Sequence, residues 1–364
     1  MALQGGRMSI EPIGVELDRL TDYLLQHVPG IYHGELTLHP FDGGRSGNIT
    51  IGVTSGAYEF VLRRPPLGPY DPAAYNPSRD FRFLVALANR GLPIPHPIAL
   101  CTDTDVIGVP FYLMERVYGR TLDFANSAPE LLDPVMAHRL GISLVSGLAD
   151  LHKVEPSTVG LGDVGRPDGF VERQVNRWTR QLEERRSRHL PGLEELSNRL
   201  LKTLEYGSAR TKPLRPTIVH GDYNLSNVLF AMHDFSIVAI LDWEQATIGH
   251  PLVDLGVLIS HNGPWQSALL GSSGGTAELR GFPTPHQMAE RYERLTGVDT
   301  SQVDFFHLLA LFKILVITED VRTRFLAGYT SGDQYATLGN QTDSISEYAL
   351  AIANESGIKG LDGR

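Results

Sequence analysis

Residues 219–230 read VHGDYNLSNVLF, and ILDWE follows at 240–244. A hairpin of two apolar strands would need no particular polar residue in its turn, whereas a site that handles a metal-bound phosphate would need most of these. Asp222 and Asn227 are five apart. A hydroxyl that attacks a phosphoryl group needs a carboxylate within hydrogen-bond reach to orient it and take its proton, and Asp222 is the candidate for that catalytic role. Magnesium takes oxygen ligands, which the amide oxygen of Asn227 and the carboxylate of Asp242 would supply. Asp242 follows the apolar run IVAIL, so a strand would present it at a sheet end; Glu244 is a supporting or additional metal ligand. His220 precedes the loop and packs beneath it to hold its backbone. The competing reading is an Asn-rich hairpin turn with an unrelated Asp downstream. Each piece alone fits that reading, but HGDxxxxN, a following strand and a strand-borne Asp fifteen residues after Asn227 make a much rarer combination.

The elements that must position these residues fall into two groups. An amphipathic helix is expected at 11–29, followed by short alternating runs with Gly-containing turns, GELTLHPF, NITIGVT and AYEFVLRRPP, which read as an antiparallel sheet. SRDFRFLVALANRG reads as a helix stopped by Gly91, and LPIPHPIALC and VPFYLMERVYG supply two more strands. From about residue 124 helical patterns dominate, at 129–153, 170–187, 192–206, 286–296 and 302–327, with strand-like runs left only around the two motifs. Asp254 lies in the first turn of a helix begun by Pro251, where a carboxylate suits the helix dipole. The expected class is α+β, with a small antiparallel sheet lobe over 1–116 and a larger, mainly helical lobe over 117–364. The second lobe would carry the catalytic loop 219–230 and the metal segment 240–245.

Composition bounds the function. The 364 residues are 42% hydrophobic and 20% charged, a globular balance. A net charge of −10 makes a poor general nucleic-acid binder, because that affinity comes from neutralising phosphates. The single cysteine, Cys101, excludes an intramolecular disulfide or a Cys-rich zinc site. The N-terminal residues lack an apolar core of secretory length, and the longest apolar stretch, 308–317, is too short to span a bilayer and is broken by Lys313. A cytoplasmic protein with no membrane or nucleic-acid partner is expected.

The spacing of Asp222 and Asn227 matches the kinase catalytic loop, and Asp242 stands where that fold has its D-F-G Asp, with Trp243 and Glu244 replacing Phe and Gly. HGDxxxxN followed by a D-centred segment resembles the aminoglycoside phosphotransferase and choline kinase-like family. FVLRRPPLGPYD, FYLMERVYG and IGHPLVDLG resemble the branch found as the kinase-like domain of some acyl-CoA dehydrogenases, over about residues 40–330. The resemblance implies a protein-kinase-like two-lobe fold and an ATP- and Mg2+-dependent transfer to a hydroxyl of a small molecule.

It also implies nucleotide-binding residues. GGRSGNIT at 43–50 resembles the phosphate-covering loop, where Gly44 and Gly47 let backbone amides approach phosphate and Ser46 adds a hydroxyl. Aligning VLR with the kinase lysine run places Arg63 on the phosphates, a departure from lysine; strand alternation would send one of Arg63 and Arg64 inward and the other to solvent. Asp80 aligns as the partner of Arg63, with a solvated helix charge as the alternative. The backbone at Glu115–Val117 would meet an adenine edge, and Asp254 would brace the catalytic loop. The rival function, motivated by Arg63 and the altered LDWE, is a nucleotide-binding kinase-like module with little or no transferase activity. The acceptor is open among aminoglycosides, choline, homoserine, sugars and hydroxyacyl thioesters. Arg177 and Trp178 are candidates to border its pocket, and Glu319 and Asp320 to meet a cationic acceptor.

Overall fold

The computed structural model describes residues 14–41, 47–72, 74–122, 133–185, 187–207, 215–263, 265, 276, 279–328 and 339–363. Two compact units divide the chain, Met1–Tyr118 with Val238–Glu244, and Gly119–Ile237 with Gln245–Arg364. The expected metal segment 240–245 is therefore divided: its residues up to Glu244 pack with the first unit, although the sequence reading assigns the whole segment to the second lobe.

In the first unit, helix α1 (Leu17–His27) precedes five antiparallel strands: β1 (Leu36–Pro40), β2 (Ile49–Ser55), β3 (Tyr58–Arg64), β4 (Pro97–Cys101) and β5 (Phe111–Glu115). Their order in the sheet is β1-β2-β3-β5-β4. Alternation decides the faces. Phe60 and Leu62 of β3 join Ile51, Val53, Phe111 and Leu113 in the core that also buries Leu20 and Leu24 of α1. Helix α2 (Pro77–Leu87), started by Pro77 and capped by the Asn76 side chain accepting from the Arg79 amide at 3.1 Å, packs on β4 and β5. A one-turn helix α3 (Thr104–Ile107), which periodicity alone does not reveal, packs on α1.

The second unit is built from α4 (Pro134–His152), α5 (Phe170–Arg185), α6 (Pro191–Glu205), α7 (Leu252–Ser260), α8 (Pro285–Thr296), α9 (Val303–Leu326) and α10 (Thr342–Glu355). Starts are written in sequence. Asp133 accepts from the Val135 and Met136 amides at 2.8 and 2.9 Å, and Thr284 with Gln287 forms a capping box around Pro285. Helix α7 lies tightly on α9, and a β-carbon at Gly256 would collide with the Phe306 carbonyl. Strand β6 (Thr217–Val219) pairs antiparallel with β9 (Thr247–Gly249), Ile218 opposite Ile248, and delivers His220 to the loop. Strand β7 (Val228–Phe230) follows the loop, and β8 (Ile237–Ile240), which from Val238 onward belongs to the first unit, precedes Asp242. Helix α10 and strand β9 were not anticipated: the first carries small and polar residues, and the second is only three residues long.

Candidate active site

The first unit gathers the Arg63 guanidinium with three carboxylates. Arg63 lies opposite Tyr112 in the β3–β5 register and is only 6% exposed. It donates to Asp242 and lies 3.4 Å from Glu244 Oε2. Burial works against its charge, but Tyr112 and the carboxylates of Asp242, Glu244 and Asp80 outweigh it, and the guanidinium stays charged. Asp80 is 2% exposed, so it is not the solvated helix charge of the alternative reading, and its carboxyl feels the charge of Arg63. Desolvation pushes its carboxyl up to about 6 against the opposing pull of Arg63. Desolvation and the neighbouring Asp242 push Glu244 up to about 7.

Local structure aims this segment. Asp242 is one of two described non-glycine residues with positive φ, at 66°, a conformation Asp tolerates better than most. Trp243 follows, buried, donating Nε1–H to the Ile240 carbonyl at 3.0 Å and stacking on Phe83 of α2 with 6.2 Å between ring centroids. Arg79 donates to the Glu244 carbonyl, and the Asn48 amide donates to Glu244 Oε2 at 2.7 Å.

The expectation that alternation would leave one of the adjacent arginines in solvent is overturned. Arg64 is 4% exposed and donates to the carbonyls of Gly14, just before α1, and of Pro65. Gly47 abuts Tyr75, whose hydroxyl a β-carbon would strike, so packing alone demands a glycine there. Gly44 and Ser46 lie outside the described residues. At the expected adenine strand, the Glu115 amide is already donated to the His96 carbonyl at 2.8 Å, which leaves that N–H unable to meet a base; Val117 follows just beyond the strand.

The second unit holds the loop. The Asn227 amide donates to the Asp222 carbonyl at 2.8 Å and to Oδ2 at 2.9 Å, while the Asn224 amide donates to Oδ1 at 3.1 Å. Both carboxylate oxygens of Asp222 are thus oriented by amides. The Asn227 nitrogen is committed, so its carbonyl oxygen is the atom left to a cation. His220 is fully buried, and its Nδ1 accepts from the Asp222 amide at 3.3 Å.

Asp254, also fully buried, accepts the His220 and Gly221 amides at 2.6 and 2.8 Å. It also accepts from His152 Nε2 at 3.2 Å, which leaves His152 Nδ1 to accept from the Tyr292 hydroxyl at 2.6 Å. Desolvation would raise this carboxyl, but the bond and charge of His152 outweigh it and hold Asp254 below the ordinary range.

One contributor escaped the sequence reading. Lys313 of α9 donates to the Gly221 carbonyl at 2.9 Å and to Gln245 Oε1 at 2.7 Å. Burial lowers its ammonium, partly offset by Asp222 and Asp254. The signal was present: one lysine interrupts an apolar helix, and a cation there needs an acceptor. Glu319 and Asp320 do not remain for a cationic acceptor. Glu319 is 2% exposed and paired with Arg188 at 2.6 Å, and Asp320 is paired with Arg185 at 3.0 Å.

Each unit carries oxygen atoms of the kind magnesium takes. In the first unit the Asp242 and Glu244 carboxylates are hard oxygen donors, and in the second the Asn227 carbonyl is another; magnesium needs only one or two protein carboxylates beside phosphate oxygens. No group of three or more His, Cys, Asp or Glu assembled to hold a metal occurs among the described residues.

A sheet unit with a buried guanidinium–carboxylate group and a helical unit with an amide-oriented Asp are the parts of a kinase-like phosphotransferase. A model of the phosphotransferase enzyme family matches residues 37–291, and the chain belongs to that family. Acyl-CoA dehydrogenase family member 11 of Rattus norvegicus is 30% identical over 347 residues, 94% of this chain and 44% of the relative. The human protein is 31% identical over 342 residues, 93% of this chain and 43% of its own. The chain thus spans less than half the length of these relatives.

Among solved structures, a protein of Ralstonia eutropha JMP134 assigned as an aminoglycoside phosphotransferase superposes with a TM-score of 0.75 at 28% identity, over 93% of this chain and 98% of that one. A thermostable aminoglycoside phosphotransferase variant in ternary complex with ADP and hygromycin B gives a TM-score of 0.52 at 17% identity, over 85% and 93%. These likenesses give the chain a kinase-like α+β fold. Among the described residues no helix is long and apolar enough to cross a membrane.

Proposed function

We propose that the chain transfers the γ-phosphoryl group of ATP to a hydroxyl of a small molecule. The observation that carries this reading is the Asp222 carboxylate, with each oxygen oriented by an asparagine amide and the backbone beneath it braced by Asp254. In the step, the acceptor oxygen forms a bond to γ-phosphorus, the bond to the β-bridging oxygen breaks with its electron pair leaving on ADP, and Asp222 takes the hydroxyl proton. Asn227 in the second unit and Asp242 in the first would each offer an oxygen to magnesium, with Glu244 supporting, and the ion would supply neutralisation of charge on the phosphate oxygens. Arg63 meets the phosphates, with Asp80 as the nearby carboxylate that adds to the pull on its charge, and the ADP in the ternary relative supports a nucleotide at this kind of site. We place the protein in the cytoplasm.

The test is magnesium-dependent ADP release against a panel of hydroxylated acceptors, with Asp222→Asn as the control. Acceptor-stimulated release that falls by about two to four orders of magnitude in the variant, with ATP binding retained, supports the transferase. Unchanged turnover in Asp222→Asn would remove Asp222 as the base. A second reading, a nucleotide-binding module, is favoured by the arginine that stands in place of a lysine and pairs with Asp242; it expects magnesium-dependent ATP binding with no acceptor-stimulated release.

A further inference from the structure

Arg63, near the end of β3, holds the two carboxylates that would offer oxygens to magnesium in the first unit. Its Nη2 donates to Asp242 Oδ1 and lies 3.4 Å from Glu244 Oε2, so one fork reaches both acids. Glu244 Oε2 also accepts from the amide of Asn48, the residue before β2, at 2.7 Å. Arg79 donates to the Glu244 carbonyl and so fixes the same segment from α2. The side chains of Arg63, Asp242 and Glu244 are 7%, 16% and 17% exposed, so water screens these charges from one another only weakly.

The guanidinium and a divalent ion therefore seek the same oxygens. Magnesium gives up water reluctantly and demands near-ideal ligand geometry, which an oxygen turned toward another donor does not supply. Arg63 would also repel a dication placed on Asp242, in a site that screens the repulsion poorly. It cannot give way by losing its proton, because a guanidinium keeps its charge in proteins. A phosphate chain changes the balance. Its anionic oxygens offer the guanidinium a bidentate partner in place of the carboxylates, and they add to the oxygens available to the ion. A lysine would block less well, since an ammonium is a compact point charge without a fork to hold two carboxylates at once.

We propose that Arg63 competes for the metal site of this unit: it keeps divalent cations off Asp242 and Glu244 until the phosphates of a nucleotide draw it away, so metal and nucleotide enter together. The assignment rests on the nucleotide and metal roles in the reading above and adds the order in which they are filled. It also gives the arginine that stands in place of a lysine a task of its own. By linkage, phosphate strengthens metal binding by the same factor as metal strengthens phosphate binding.

The test is binding of Mn2+ to the full chain without nucleotide, followed by the electron paramagnetic resonance signal of the free ion. Arg63→Met, Arg63→Lys and the double variant Arg63→Met/Asp242→Asn are run beside the wild type. The wild type is expected to bind Mn2+ weakly and Arg63→Met about tenfold more tightly, with Arg63→Lys between them. The double variant is expected to lose what the methionine gained. Arg63→Lys keeps a counter-charge among the three carboxylates, so it carries the test where circular dichroism shows the methionine variant unfolded. A wild type that takes Mn2+ as tightly as either folded variant would overturn the proposal, as would a gain that survives the loss of Asp242. ADP titrated by calorimetry without metal is expected to bind Arg63→Met more weakly than the wild type; equal affinities would also overturn it, because the phosphates would then not draw on Arg63. Neither measurement involves transfer. Missing acceptor-stimulated ADP release would remove the transferase reading and leave this one standing, whereas an unchanged Mn2+ affinity removes this one alone.

Discussion

The Asn227 side-chain amide spans the Asp222 backbone carbonyl at 2.8 Å and the Asp222 carboxylate at 2.9 Å. The six residues from Asp222 to Asn227 are closed on themselves by one side chain. The carboxylate then presents a fixed face to an incoming hydroxyl, and the asparagine presents its oxygen. The same residue that would coordinate a cation therefore also orients the base, so substitutions at Asn227 will disturb both tasks at once.

Asp242 couples a backbone conformation to a ligand role. At φ 66° an alanine carries a left-handed penalty of about 1 kcal/mol that a glycine avoids. Asp242→Ala and Asp242→Gly are both expected to abolish magnesium-dependent nucleotide binding, with the glycine variant the more stable by about 1 kcal/mol in urea titration. Equal stabilities would show that the conformation is not strained.

Lys313 holds the Gly221 carbonyl and Gln245 together. Lys313→Met keeps the aliphatic stem and removes both bonds. The expected result is a fall in kcat of about tenfold with little change in ATP affinity, because the loop carrying Asp222 loses an anchor while the sheet unit is untouched. Steady-state kinetics with nucleotide and acceptor varied separately will separate the two parameters.

The carboxyls of Asp80 and Glu244 titrate at about 6 and about 7 in the folded protein, above their unfolded values near 4. Between those limits the folded state binds more protons than the unfolded chain. Stability contributed by the protonated carboxyls is thus full below about pH 4 and falls as pH rises through 6 to 7. Asp80→Asn is expected to flatten that decline, measured as urea midpoints at pH 5 and pH 8. A decline as steep as in the wild type would place the titration elsewhere.

Gly256 sets the approach of α7 to α9. Its β-carbon position collides with the Phe306 carbonyl and lies 3.0 Å from the His307 nitrogen, both backbone atoms that cannot rotate away. Gly256→Ala is expected to destabilise the chain by about 2 kcal/mol despite the better helix propensity of alanine, read as a lowered Tm. A neutral effect would mean that the helices separate freely.

Local chemistry was legible in the sequence because it depends on short spacings. The HGDxxxxN loop, the strand-borne Asp242, the capped helices and the alternation that buries Leu62 and turns Arg63 to the other face all follow from contacts within a few residues. Asp254 could be placed on a helix by the proline before it. The sequence could not say that Lys313, ninety-two residues from Gly221, would bond its carbonyl, nor that Arg64 would donate to the carbonyl of Gly14, fifty residues away. It did not show that Glu319 and Asp320 would be claimed by Arg188 and Arg185. Those outcomes depend on which helices pack together, and charge partners across such distances are chosen by the fold. Periodicity records which side of an element is buried; only tertiary packing decides what it is buried against.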